Sequence, residues 1–253
     1  MNGKEQRGVL SLTALLSWCL LALQLNAQAQ TAQPETTTPA AVRPAHVALL
    51  NLAESAQADW AGLFAASGMD YELARVVADL APNEPWCGQL GPWHGLAYCP
   101  ADSAMFVDSR LLDALPDEDS RQADLAKAYL LAHALGHHVQ NLLGVTHKVA
   151  KWDVAMSRRL RQDLHHRTEL QADCFAGLWF RRSSLAPQLL RGQNLRAMFD
   201  ALAEASEALH KRDTVVQGEL FRASDAGLRA KWFSRGMRAD GVEDCDTYID
   251  ERL

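Results

Sequence analysis

At 253 residues the chain has room for one or two domains and a sizeable buried core. Its composition, 48% hydrophobic and 22% charged, is that of a globular protein and excludes disorder throughout. A net charge of -6, with lysine and arginine scattered rather than clustered, lacks the basic stripe that neutralising a phosphate backbone requires, so a nucleic-acid partner is set aside.

Lys4 and Arg7 precede the apolar run Val9 to Leu25, which is followed by NAQAQ with small residues at Ala27 and Ala29. That order of charge, apolar run and small residues is a secretory signal cut after about Ala29. Left uncleaved, the same run would serve as an inner-membrane anchor, the one membrane contact expected. Either way the chain is expected to be exported, to the periplasm or beyond. Residues 30–45, rich in Thr, Pro and Ala without apolar period, read as an extended tether, and a single domain is expected from His46 to the end.

The tether gives way to apolar residues at helical spacing, Val47, Leu50, Trp60, Leu63 and Phe64, with Gly68 as a C-cap. YELARVVADL and SAMFVDS are short strand candidates on either side of a Gly, Pro and Cys loop running from Ala81 to Asp102. Beyond Leu111 the pattern is helical. Asp119 or Ser120 caps a helix running to about Leu143, where Gly144 ends it. Lys148 to about Arg182 makes one long helix or two, and Gln188–His210 and Ser224–Arg238 supply two more. The fold class is therefore mainly α (α+β), with a small β element. Trp60, Trp152, Trp179 and Trp232 fall at apolar helical positions and are expected in the core.

Export gives the cysteines a meaning. Cys87, Cys99, Cys174 and Cys245 are an even set in an oxidising compartment, and two disulfides are expected. Three pairings are open to four cysteines. The expected one joins Cys87 to Cys99 across a short loop and Cys174 to Cys245, tying the C-terminal tail to a helix.

Candidate chemistry begins at YLLAHALGHHVQNLLG, residues 129 to 144. His133 and His137 are four apart, so on a helix one imidazole lies above the other and both can converge on one ion. The spacing alone is a common accident. It gains meaning from RTELQADCFAGLWF, where Glu169 and Asp173 are also four apart on a helical pattern. A carboxylate on a second helix is the standard third ligand of a His-x-x-x-His zinc site, and a carboxylate one turn later accepts the other N–H of a ligand histidine.

These segments resemble the bacterial neutral zinc metallopeptidase family. The resemblance is carried in order by CG at 87, YCPAD at 98 to 102, MFVD, AYLLAH, GHHVQNLLG at 136 to 144, ELQADCFAG at 169 to 177, KWFSRG and CDTY. It implies a zincin-like helical metallopeptidase domain holding one Zn2+ through His133, His137 and Glu169, with Asp173 supporting a ligand histidine. The family pattern has a glutamate directly after the first histidine, and this chain has Ala134. That glutamate is the general base that takes a proton from the metal-activated water and passes it to the leaving amine. A second departure falls in RASDAGLRAKWF, where Arg222 and Ala223 stand in place of a His-Gly pair.

The expectation is thus an exported member of the zinc metallopeptidase family with weak or no peptidase turnover, a pseudo-peptidase that grips a peptide or protein without cutting it. The alternatives are an active zinc hydrolase in which another residue, among them His165, His166 and Glu204, replaces the base, and a metal-free helical scaffold. His138, displaced about 100° around the helix from His137, is read as structural.

Overall fold

The structure, a computed structural model, describes residues 44–78, 84–88, 95–113, 115, 120–212, 222 and 224–249. The expected signal or anchor at 1–29 and almost all of the expected tether lie outside the described residues. No described helix is long and apolar enough to cross a membrane.

Among the described residues, eight helices and one short sheet follow in chain order. They are α1 (Pro44–Ala66), β1 (Arg75–Ala78), β2 (Leu96–Cys99), β3 (Ala104–Val107), α2 (Ser109–Asp113), α3 (Ser120–Leu142), α4 (Val145–Asp153), α5 (Arg158–Arg182), α6 (Ala186–Leu190), α7 (Leu195–Arg212) and α8 (Ala226–Gly236), closed by a 3-10 turn at Val242–Cys245. The glycines that end two helices do so as their backbone freedom allows: Gly68, just after α1, has φ +70°, and Gly144, just after α3, has φ +72°.

Some boundaries differ from expectation. The segment read as one long helix or two is two, α4 and α5, the first of them beginning at Val145 rather than Lys148. The single helix expected from Gln188 is also two, because Gly192 takes φ +73° between α6 and α7. The sheet has order β1-β3-β2, with β1 parallel and β2 antiparallel to β3. Strand β2 falls inside the segment read as loop, since four residues beside a Gly/Pro-rich stretch carry too little alternation to reveal a strand.

Most of the core forms around α3 and α5. Leu130, Leu131, Leu135 and Val139 of α3 meet Leu170, Phe175, Leu178 and Trp179 of α5, and Trp60, Phe199, Trp232 and Phe233 close the cluster. Trp152 corrects one expectation. It is 44% exposed, its ring beside Tyr248 with centroids 6.4 Å apart.

Backbone approach sets how close the central helices come. A Cβ added to Gly136 would lie 2.7 Å from the Ala172 carbonyl oxygen, so α3 and α5 touch main chain to main chain there. Gly177 of α5 and Gly236 of α8 permit a second such crossing, since a Cβ on either would collide with the backbone of the other helix. Both expected disulfides are present, Cys87–Cys99 and Cys174–Cys245.

Candidate metal centre

The α3–α5 crossing places the polar residues as well as the apolar ones. Gly136 sits between His133 and His137, and Ala172 between Glu169 and Asp173, so the point of closest backbone approach lies between the two candidate pairs. Across it the Nε2 atoms of His133 and His137 are 3.1 Å apart, and each lies 3.3 Å from Glu169 Oε2. These three side chains are the group among the described residues that could hold a metal ion.

Proton placement decides what that triangle can do. His133 Nδ1 lies 2.9 Å from Asp173 Oδ1, and His137 Nδ1 lies 2.9 Å from Gln140 Oε1. Both partners accept, so each Nδ1–H donates outward and each Nε2 turns its lone pair inward. Glu169 Oε2 is buried and makes no hydrogen bond of its own. Three acceptor atoms thus converge at 3.1 to 3.3 Å, an arrangement favourable to a cation among them, with only the Arg229 guanidinium at its edge among the described residues to offset their mutual repulsion. Zinc fits the set. Tetrahedral bonds of about 2.0–2.1 Å separate neighbouring ligand atoms by roughly 3.3 Å, and His2Glu is a known zinc donor set.

Behind His133 is a buried charge cluster. Arg229, 4% exposed on α8, donates from Nε to Asp173 Oδ2 at 2.9 Å and from Nη2 to Asp173 Oδ1 at 3.1 Å. Tyr129 Oη also donates to Asp173 Oδ1. Burial alone would raise the Asp173 carboxyl, but the Arg229 guanidinium and then the His133 contact outweigh it and hold the group below the ordinary aspartate value. The same guanidinium comes within 3.4 Å of His133 Nε2 and 3.9 Å of Glu169 Oε2.

The other side of the triangle opens on a cleft of about 570 Å³ whose walls include Tyr98, Ala134, His137, Gln140, His165 and Glu169. At position 134 the wall offers a methyl group. His138 faces away: its Nε2–H donates to the Glu72 carbonyl at 2.6 Å and its Nδ1 pairs with Tyr98 Oη at 2.9 Å. Burial lowers its pKa, and a neutral ring tying α3 to the chain before β1 is the structural role expected of it. His165 does reach the cleft, where its Nε2 pairs with Asp153 Oδ1 at 3.0 Å. His166 is half-buried, and Glu204 is exposed on α7. Of the second departure from the family pattern, Arg222 is exposed and Ala223 lies outside the described residues.

Tyr129 and Arg229 were not among the candidates read from sequence, nor were the two glutamines Gln140 and Gln171 assigned to the site. Tyr129 had a signal, since it stands one turn before His133. Arg229 had none in the helical pattern, being 56 residues from its carboxylate partner.

A His-x-x-x-His helix that crosses a second helix bearing glutamate and aspartate is an arrangement that could hold a metal ion of the zinc type. The chain matches the family described as "Putative neutral zinc metallopeptidase" over residues 10–248 and belongs to it. It is 30% identical to YpfJ of Escherichia coli over 190 residues, 75% of this chain and 66% of that protein. It is 31% identical to Rv2575 of Mycobacterium tuberculosis over 174 residues, 64% of this chain and 58% of that one. The chain thus spans just under two thirds of YpfJ and less of Rv2575. No solved structure matches it.

Proposed function

We propose that this is an exported zinc-binding protein whose peptidase chemistry is impaired, a pseudo-peptidase that holds a peptide or protein segment in the cleft. His133, His137 and Glu169 are the proposed ligands of one Zn2+. Export is supported by the two disulfides, which persist in oxidising compartments.

One observation carries the reading of impaired chemistry: beside a converging donor triangle, the cleft wall at position 134 bears only the Ala134 methyl group. A zinc ion, when bound, supplies Lewis acidity and brings the acidity of water towards pH 7. The rest of peptide hydrolysis needs a residue that accepts a proton and returns it to the departing nitrogen. Asp173 does not serve, because its two oxygens are taken up by His133, Arg229 and Tyr129. Glu169 is committed to the triangle. Loss of a positioned general acid-base group lowers rates by about 10²- to 10⁴-fold. Peptide binding itself is left intact, and strand β2, at one end of the sheet, contributes Leu96, Ala97 and Tyr98 to the cleft, so an extended segment could lie along it.

The test is zinc content together with hydrolysis of an unfolded protein substrate, for the natural chain and for Ala134→Glu. Stoichiometric zinc without turnover, and turnover gained by Ala134→Glu of about 10²-fold or more, is the expected result. Chelator-sensitive cleavage by the natural chain would overturn it. A second reading, a hydrolase working through another base, is favoured by the His165–Asp153 pair lining the same cleft. It requires activity that His165→Ala abolishes. Absence of zinc from the purified protein would leave the metal-free scaffold.

A further inference from the structure

The two proposed ligand histidines need the same tautomer, but where Nδ1 of His133 meets a carboxylate, Nδ1 of His137 meets an amide. Gln140, 1% exposed, accepts the His137 Nδ1–H through Oε1. Its Nε2 donates to the Thr168 carbonyl at 2.8 Å and to Gln171 Oε1 at 3.0 Å. Gln171, 5% exposed, in turn donates from Nε2 to the Cys245 carbonyl at 3.2 Å.

The direction of this chain follows from chemistry that cannot be reversed locally. A backbone carbonyl only accepts. The Cys245 carbonyl therefore requires the NH2 end of Gln171, which turns the Gln171 oxygen towards Gln140. The Thr168 carbonyl and that oxygen both require the NH2 end of Gln140, which turns its oxygen towards His137. An oxygen there requires Nδ1–H on the ring and leaves Nε2 as a lone pair aimed into the triangle. Flipping either amide would set two acceptors or two donors face to face in a buried site, which leaves buried polar groups unsatisfied.

The far end of the chain is held covalently. Gln171 and Cys174 are three apart on α5, so they share a face, and Cys174 is bonded to the residue whose carbonyl Gln171 meets. The residues beyond the disulfide grip the same helix: Thr247 Oγ1 donates to the Arg167 carbonyl at 2.7 Å, Arg167 Nη1 donates to the Thr247 carbonyl at 2.6 Å, and the hydroxyls of Tyr248 and Thr168 are 2.9 Å apart.

We infer that Gln140 and Gln171 are positioning residues, an amide relay through which the disulfide-anchored C-terminal segment dictates the protonation pattern of His137 and prepares its Nε2 for the metal. The inference rests on the proposed ligand set, and it makes a claim about His137 that can be read without any metal.

The experiment measures the His137 tautomer in metal-free protein, from long-range proton–nitrogen NMR spectra of histidine-labelled chain, beside zinc affinity from chelator competition and stability from urea unfolding. The natural chain should carry Nδ1–H. Gln140→Leu should shift His137 to the Nε2–H form that free imidazole prefers and weaken zinc binding by about 10- to 100-fold. Gln140→Glu separates the relay from simple packing. Its carboxylate still accepts from Nδ1 but can no longer donate to Thr168 or Gln171, so stability should fall as in Gln140→Leu while tautomer and zinc affinity are kept. Gln171→Leu should shift the tautomer partially and weaken zinc less than Gln140→Leu. An unchanged tautomer in Gln140→Leu, or equal loss of zinc affinity in Gln140→Leu and Gln140→Glu, would overturn the relay. If the natural chain binds no zinc, the metal reading fails on its own, and the tautomers of the natural chain and Gln140→Leu still decide the relay.

Discussion

His133 and His137 lie one turn apart and offer the same atom to the same point, yet they are held by opposite means. The His133 side chain is fully buried against an ionised carboxylate, itself clamped by a guanidinium and a phenol. The His137 side chain is 17% exposed at the cleft and is held by neutral amides. Charge is usable at His133 because Arg229 and Asp173 desolvate together and compensate each other. At the cleft edge, a neutral partner orients the ring without adding another negative charge beside Glu169. One imidazole is thus locked by electrostatics and the other by hydrogen-bond direction.

Breaking the charged side should have the largest effect. Arg229→Met leaves Asp173 buried beside no cation, and urea unfolding should show a loss of about 3–5 kcal/mol. An effect below 1 kcal/mol would mean that Asp173 takes up a proton and the clamp is not electrostatic.

The neutral side depends on the covalent anchor. A disulfide closing 71 residues of chain restricts the unfolded state by about 4 kcal/mol, against about 3 kcal/mol for the 12-residue separation of Cys87–Cys99. The double change Cys174→Ala with Cys245→Ala should therefore lower unfolding stability more than Cys87→Ala with Cys99→Ala. By the relay it should also weaken zinc binding, which the second pair should leave alone.

Gly136→Ala attacks both sides at once by forcing α3 from α5. Overpacking of this kind costs about 1–3 kcal/mol, and because the triangle spans the two helices, metal content should fall in protein that still folds, as elemental analysis would show.

The smallest effect is on pH dependence. The Asp173 pKa is lower in the folded chain than in the unfolded one, so acid protonates the unfolded state first. Its stabilising contribution is present above about pH 4 and is lost as pH falls through the folded pKa. Asp173→Asn should flatten that part of the stability profile in chelator-treated protein. A profile unchanged below pH 4 would show that Asp173 carries no such linkage.

Much of this was legible before any coordinates. The helical period from Leu111 onward, Gly68 and Gly144 as helix ends, and the i, i+4 pairs at 133/137 and 169/173 are local patterns, because a helix converts sequence spacing directly into a face. Strand β2 and the exposure of Trp152 were not legible, since the first depends on a partner strand and the second on what happens to cover the helix. The Asp173–Arg229 pair, the Gln140–Gln171 relay and the direction of each amide join residues far apart in the chain.

The amino-acid sequence by itself determined which residue types stand on which helical face: two imidazoles, a carboxylate one helix later, and a methyl group at position 134. Only the tertiary structure decided that those faces meet, through a glycine that lets two backbones touch, and which nitrogen of each ring turns inward. Spacing within one helix is set by its pitch, whereas the crossing of two helices and the polarity of a buried hydrogen-bond chain are set by packing and by acceptors that enter from elsewhere in the fold.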